Sequence, residues 1–413
     1  MYYLLAKLST VVAGARSATA MRVPSALAFV VSVPVGYLAL RRLVGWRGAL
    51  AAAAIVAVNP NLVGFATDAR SYALLVLTGL LSVWGFAAVI ERPSWRRYAA
   101  WALASVACVW THYFGAFLVA GEVLIVLVVL AGSRRATLAW CLVIAAGLAP
   151  LIPLVAHQSG SEDAAFIAGI SLGSRVESTV RQFAMGVNVP RTWLEAAGLA
   201  LAVLGTVVGG AIALRRRPEA RVLLGIAALA FGVPLAMAVL GLEDRFYSRN
   251  VVATLPLFAG LAALGLLRAR AVPLAVYLAL CALTAVWVAS DWRYEQLDWR
   301  TAVARMVAVD PGAAVVSTDP GNAMVLGTYL GRERVASVRA NAVWVAVEPA
   351  RGPHERALTP VVLLPTGVLG ASTGFRPVRE LEVHGFRLVL ERASAPTVVA
   401  RLPGTVLFPP VRG

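Results

Sequence analysis

LALAVLGTVVGGAIALRRRPEARVLLGIAALAFGVPLAMAV, running from Leu199 to Val239, sets the reading of the whole chain. Two apolar runs flank a break that holds Arg215, Arg216, Arg217 and Arg221. A helix needs about 20 apolar residues to cross a bilayer, and arginine collects in short cytoplasmic turns between such helices. The stretch therefore predicts two membrane helices joined by a cytoplasmic turn. Working outward, the same alternation covers residues 1–290, with apolar segments near 18–40, 48–66, 72–90, 98–112, 114–131, 136–156, 193–214, 222–241, 250–267 and 272–290. Every second break is basic: Arg41, Arg42 and Arg47; Arg92, Arg96 and Arg97; Arg134 and Arg135; Arg215 to Arg221; Arg268 and Arg270. The short turns opposite hold only Arg70, Arg245 and Arg249. About ten spans with the arginine-rich breaks in the cytoplasm put both chain ends outside.

Composition agrees. Of 413 residues, 60% are hydrophobic, and the mean hydropathy of +0.77 excludes an ordinary soluble protein. The formal charge of +16 is unevenly spread: residues 1–290 carry 23 basic and 10 acidic side chains, residues 291–413 only 14 and 11. The excess belongs to the membrane part. It gives no reason to expect nucleic acid, because the polar part has no basic patch interleaved with aromatics. Cys108, Cys141 and Cys281 each sit in an apolar run, without neighbours at metal-ligand spacing, and read as small core residues.

Two larger pieces fall on the external side. The first is the loop from His157 to Arg191, whose GISLGSRVESTVRQF (169–183) reads as an amphipathic helix on the membrane surface. The second is residues 291–413. There DWRTAVARMVAVD (298–310) places Trp299, Val303, Met306 and Val307 on one helical face. AAVVST reads as a strand, GNAMVLGTYLG as a helix, and AVWVAVE, PVVLLP, VRELEV and FRLVLER as short strands. The expected fold is an α-helical polytopic membrane domain over 1–290 followed by an extracytoplasmic α/β domain over 291–413. GAAVVSTDPGN resembles a nucleotide-binding turn but lacks GxGxxG and is set aside.

The informative polar residues gather at the external ends of spans. TDARSYAL (67–74) places Asp68, Arg70 and Tyr72 between two spans. Charge at that depth is costly and is usually paired or functional; the plainer alternative is an Asp68–Arg70 turn with Asp68 as helix N-cap. THYFGAF (111–117) places His112 and Tyr113 in the next external turn, where a histidine is either an interfacial hydrogen-bonder or a participant in chemistry. Glu122 follows about two turns on, the single candidate for an ionisable group inside a span. EDRFYSRN (243–250) offers Arg245 and Arg249, which suit a phosphate because guanidinium binds its oxygens bidentately; the alternative is pairing with Glu243 and Asp244. The three turns lie on one face, where a pocket of acids, histidine and arginines beside lipid would suit a phosphate-bearing lipid. A P-loop, a nucleophile elbow and metal-ligand spacing are not found in the sequence.

Five motifs in order, RVPSALAF (22–29), TDARSYAL, THYFGAF, RFYSRNVVATLPLFAG (245–260) and LDWRTAV (297–303), resemble integral-membrane glycosyltransferases of the GT-C class. More narrowly, they are similar to the bacterial family-39 type, related to protein O-mannosyltransferases and the lipid A aminoarabinose transferase. The resemblance runs from Tyr2 to about Leu330. It implies inverting transfer of a sugar, mannose or a related one, from a polyprenyl-phosphate donor to a cell-envelope glycan, lipid or protein on the external face of the cell membrane. It implies Asp68 and His112 as catalytic candidates. Arg70, Tyr72, Tyr113, Arg245 and Arg249 would contact substrate, with the arginines against the leaving phosphate. Asn250 stands where the family usually has Tyr. No cofactor is specified; a divalent cation is compatible with the class. MYYLLAKLST (1–10) matches the end of a membrane-surface segment that in the family follows the first span and an acidic external loop. On that resemblance the sequence is expected to be N-terminally truncated, with the family's principal base lying upstream. Two other classes remain open: a non-catalytic GT-C-like scaffold or binder of lipid-linked sugar, and a polyprenyl-lipid transporter. The external α/β part and the lack of inverted repeats weigh against the transporter.

Overall fold

Gly45 breaks the longest helix. In the computed structural model, α2 (Ala18–Val58) is interrupted there by a φ of 77°, a conformation that favours a residue without Cβ. The two arms correspond to the apolar segments on either side of Arg41–Arg47. The structure describes residues 1–14, 18–159, 167, 169–242, 244–269, 271–291, 298–317, 323–347, 374–383, 386–401 and 405–410. The chain divides into two units, Met1–Val286 and Trp287–Gly413.

In the first unit, α1 (Tyr2–Val12) and α2 are followed by α3 (Pro60–Ala66), α4 (Tyr72–Glu91), α5 (Trp95–Thr111) and α6 (Gly115–Val129). Then come α7 (Arg134–Leu148), α8 (Ile152–Ser159), α9 (Leu172–Met185), α10 (Thr192–Arg216), α11 (Pro218–Val239), α12 (Leu255–Leu266) and α13 (Val272–Ser290). By length and composition six helices can cross a membrane: Thr19–Val58, Tyr72–Glu91, Arg134–His157, Thr192–Arg216, Pro218–Val239 and Val272–Ser290. The protein is a multi-pass membrane protein. Where the sequence predicts about ten spans, the described residues hold six full-length candidates, one of them containing the Gly45 break. Tyr2–Val12, Gly115–Val129 and Val252–Arg268 are shorter apolar helices. The surface-helix expectation for 169–183 meets α9, with Arg175, Thr179, Ala184 and Met185 buried.

Two local devices fix the bundle. Asn59 caps α3: its side-chain oxygen accepts from the amides of Asn61 (3.1 Å) and Leu62 (3.2 Å), and Pro60 at the first helical position gives up no needed donor. The Asn59 Nδ2 donates to the Phe183 carbonyl at 2.9 Å, tying α3 to α9. Glycine sets the second device. A Cβ on Gly209 would meet the Leu261 carbonyl oxygen at 1.9 Å, and one on Gly265 the Gly205 carbonyl oxygen at 1.9 Å. Helices α10 and α12 therefore cross backbone to backbone, the small-residue packing that membranes favour. Gly265→Ala is expected to lower stability by about 1–3 kcal/mol through overpacking, read as a lower Tm of the solubilised protein. Gly232→Ala, where the added methyl meets open space, is expected to leave Tm unchanged or raised. Equal Tm values for the two variants would reject the close crossing.

Glu122 lies fully buried in α6. Its Oε2 accepts from Ser82 Oγ at 2.6 Å and Trp101 Nε1 at 2.8 Å, and Ser82 Oγ lies 2.9 Å from Ser105 Oγ. The one carboxylate expected inside a span thus joins α4, α5 and α6.

In the second unit, α14 (Trp299–Val309), β1 (Ala314–Ser317), α15 (Ala323–Leu330), β2 (Ser337–Val347), β3 (Arg376–Val383), β4 (Phe386–Ala400) and β5 (Val406–Phe408) make an α/β domain. The sheet order is β3-β4-β2-β1-β5. β1 runs parallel to β2, with Ala314 opposite Val343, and the other pairs are antiparallel. Asp298 caps α14 by accepting the Thr301 amide at 3.0 Å. Trp299, Val303 and Met306 are buried with Leu326, Trp344 and Phe386, and Val307 packs against them, so the helical face read from the sequence is the core face. The strand expected at PVVLLP (360–365) falls outside the described residues; β5 is a strand beyond those the sequence suggests.

Candidate functional site

The turn between α3 and α4 is built first. Tyr2, buried at the start of α1, donates from Oη to the Met21 carbonyl at 2.8 Å. Ser25 Oγ lies 3.1 Å from Tyr2 Oη and 3.2 Å from the Arg70 carbonyl. Tyr2 therefore braces, through Ser25, the segment that carries Asp68 and Arg70. The helix-cap alternative for Asp68 is not what forms: the N-cap of α4 is Ser71, without a side-chain cap bond. Instead Asp68 Oδ2 sits 3.9 Å from Arg70 Nε, with the Asp68 side chain 17% exposed and Arg70 54%. A pair this open and this long holds little energy, which leaves both groups available to a ligand.

Tyr72 opens α4 and packs its ring between Phe65 (4.9 Å) and His112 (5.7 Å). His112 caps α5 from the turn between α5 and α6, and Tyr113 lies against it at 5.1 Å. His112 Nδ1 accepts the Phe114 amide at 3.4 Å. The imidazole is held below its ordinary pKa, first by burial and then by the Arg249 cation, so it is neutral at pH 7 and can donate from Nε2. Arg249 lies close enough for its charge to act on the Tyr72 hydroxyl as well. Its guanidinium sits 5.2 Å over the Tyr247 ring. Three turns far apart in sequence thus bring Asp68, Arg70, Tyr72, His112, Tyr113 and Arg249 to one end of the bundle.

The late turn owes its shape to residues that the sequence did not single out. Arg175 of α9 is 4% exposed and grips Asp244 with both arms, Nη1 to Oδ1 at 2.6 Å and Nη2 to Oδ2 at 2.8 Å. It also donates to the carbonyls of Phe246 and Ile170, each at 2.9 Å. Asp244 is therefore held by Arg175, correcting the reading that paired it with Arg245 or Arg249; Glu243 lies outside the described residues. Gln182 Oε1 accepts from Ser248 Oγ at 2.5 Å. Asn250, where the resembled family has Tyr, donates from Nδ2 to the Arg245 carbonyl at 2.8 Å and closes the turn. The only sequence signal for this support was an arginine on the face of an amphipathic helix.

Among the described residues no group of three or more His, Cys, Asp or Glu side chains converges.

A comparison with curated proteins gives no match. Among solved structures, the oligosaccharyltransferase of Archaeoglobus fulgidus in complex with Zn and sulfate aligns at 14% identity with a TM-score of 0.43, covering 74% of this chain and 46% of that one. The same archaeal enzyme, AglB, with an inhibitory peptide and a dolichol-phosphate aligns at 14% identity and a TM-score of 0.42, covering 74% and 49%. The chain spans about half the length of these matched chains. The sequence comparison is narrower than the expected resemblance and takes in the Asp68 and His112 turns but not that of Arg249: residues 1–157 match the family model of dolichyl-phosphate-mannose-protein mannosyltransferases.

Proposed function

We propose that the protein is a glycosyltransferase that moves a sugar, mannose or a related one, from a polyprenyl-phosphate donor to a cell-envelope acceptor on the external face of the membrane. The observation that carries this reading is the convergence of Asp68, Tyr72, His112 and Arg249 from three separate turns at one end of an apolar bundle. The family match over residues 1–157 supports it.

In the proposed reaction the acceptor hydroxyl oxygen attacks the anomeric carbon as its proton passes to a carboxylate. The bond from that carbon to the phosphate oxygen breaks on the opposite face, and polyprenyl phosphate leaves with the electron pair. Charge grows on the leaving phosphate, so preplaced cations matter most. Arg249 takes this role with Arg245 beside it in the chain. Asp68 orients donor or acceptor, Arg70 and Tyr72 flank it, and neutral His112 offers a hydrogen bond to the sugar or phosphate with Tyr113 against its ring.

The test is transfer of radiolabelled mannose from polyprenyl-phosphate mannose to envelope acceptors by the protein purified from its membrane. Asp68→Asn is expected to lower the rate at least about tenfold, within the range of general acid–base and orienting groups. An unchanged rate would remove Asp68 from the site. Donor binding without transfer would favour the lipid-linked-sugar binder. Failure to bind the donor would end the glycosyltransferase reading.

A further inference from the structure

We propose that a basic cavity at the Gly45 end of the first unit holds the phosphate of an anionic phospholipid headgroup. The cavity, about 450 Å³ in volume, is lined by Arg47, Arg216, Arg217 and Arg268, with Trp46 and Leu267 among its apolar walls. Among the described residues no carboxylate lines it.

The site is built rather than incidental. Arg217 Nη1 donates to the Val44 carbonyl at 3.0 Å, and a Cβ at Gly45 would come within 3.3 Å of the same nitrogen. The positive-φ glycine therefore makes room for a guanidinium at the helix break. Arg216 ends α10 and Arg268 follows α12, and these two helices are locked together by the glycine crossing at Gly205, Gly209 and Gly265. Three chain segments thus deliver four cations to one cavity. Their mutual repulsion is relieved by an anion, and guanidinium forks match phosphate oxygens.

Ordinary basic residues of this face are arranged differently. Arg42 and Arg97 share Glu91, at 3.0 and 3.5 Å. The walls further favour a lipid over a soluble anion. Arg47 stacks over Trp46 at 5.1 Å, and tryptophan settles at headgroup depth. Leu50 and Leu214, just beyond the cavity on α2 and α10, are exposed and apolar, offering a track for acyl chains. Basic pockets between membrane helices are a recognised means of headgroup capture. The cavity lies apart from the candidate catalytic site: Ser25, which touches the Arg70 carbonyl, and Val44 are 19 positions apart in one arm of α2, about 28 Å along the helix.

The experiment adds phosphatidylglycerol, phosphatidylcholine or inorganic phosphate to the detergent-solubilised protein and follows Tm and lipid adducts by native mass spectrometry. Phosphatidylglycerol is expected to raise Tm and remain bound, and phosphatidylcholine to do neither. Arg47→Gln, Arg216→Gln and Arg268→Gln together, leaving Arg217 in place to hold Val44, are expected to weaken phosphatidylglycerol binding at least tenfold. Arg134→Gln with Arg135→Gln, basic residues outside the cavity, is expected to leave it intact. Equal loss in both variants would show diffuse surface attraction and overturn the proposal. So would equal stabilisation by inorganic phosphate, which would mark a small-anion site. No discrimination between the two lipids would overturn it as well.

Discussion

Arg249→Ala is expected to lower sugar transfer at least about 100-fold while the protein stays folded, because removing one preplaced donor to developing charge usually has that effect. The guanidinium is oriented over Tyr247, and its charge reaches both His112 and Tyr72. Arg249→Lys keeps the charge but not the planar fork, and is expected to retain an intermediate rate. A second readout does not depend on activity. Burial and the Arg249 cation both hold the His112 imidazole down, so loss of the cation removes the second cause and the pKa should move upward. Nuclear magnetic resonance titration of His112 measures it. A near-wild-type rate would take Arg249 out of the phosphate site, and an unmoved imidazole would deny the convergence itself.

Arg175→Ala is expected to be strongly destabilising, by about 1.5–3 kcal/mol, the range for hydrogen bonds to a charged group and for carbonyls left without a donor. The variant loses a bidentate bond to Asp244 and two bonds to main-chain carbonyls. Asp244, whose side chain is 35% exposed, recovers some hydration; the carbonyls of Phe246 and Ile170 are left without this donor. Since the turn from Asp244 to Asn250 carries Arg245 and Arg249, transfer should fall along with Tm. Arg175→Lys restores charge but cannot span the carboxylate and both carbonyls, so it should recover only part of the loss. A Tm equal to that of the unmodified protein would show that the late turn is held by other means.

Much of the fold is legible because the signals are local. The apolar lengths around Arg215–Arg217 give α10 and α11 directly, and the Arg41–Arg47 break falls where Gly45 bends α2. In the second unit the helical spacing of Trp299 and Met306 marks the face of α14 that is buried. Among the described residues two of the ten expected spans share Thr19–Val58, on either side of Gly45, and others fall on shorter apolar helices such as α6, 15 residues long; hydropathy reads apolarity well and helix ends poorly.

The candidate site divides in the same way. TDARSYAL, THYFGAF and EDRFYSRN were each visible as polar turns between apolar runs, since charge beside a bilayer stands out in any window. Asp68 as a helix cap was also a reasonable local reading; only the placement of Ser71 at the start of α4 turned it aside. Arg175 was invisible because its partner Asp244 lies 69 residues away. The basic cavity was likewise hidden among arginines that orientation in the membrane alone would explain.

The sequence by itself determined which segments are apolar helices, which turns are basic and which polar residues stand at helix ends, because burial in lipid acts on each segment independently. Only the tertiary structure decided that the turns carrying Asp68, His112 and Arg249 come near Tyr72, that Asp244 belongs to Arg175, and that Arg47, Arg216, Arg217 and Arg268 line one cavity. Those groupings depend on which helices pack together and how closely. At the α10–α12 crossing that is settled by a glycine with no Cβ facing a backbone carbonyl, a condition set by the partner helix rather than by the local sequence.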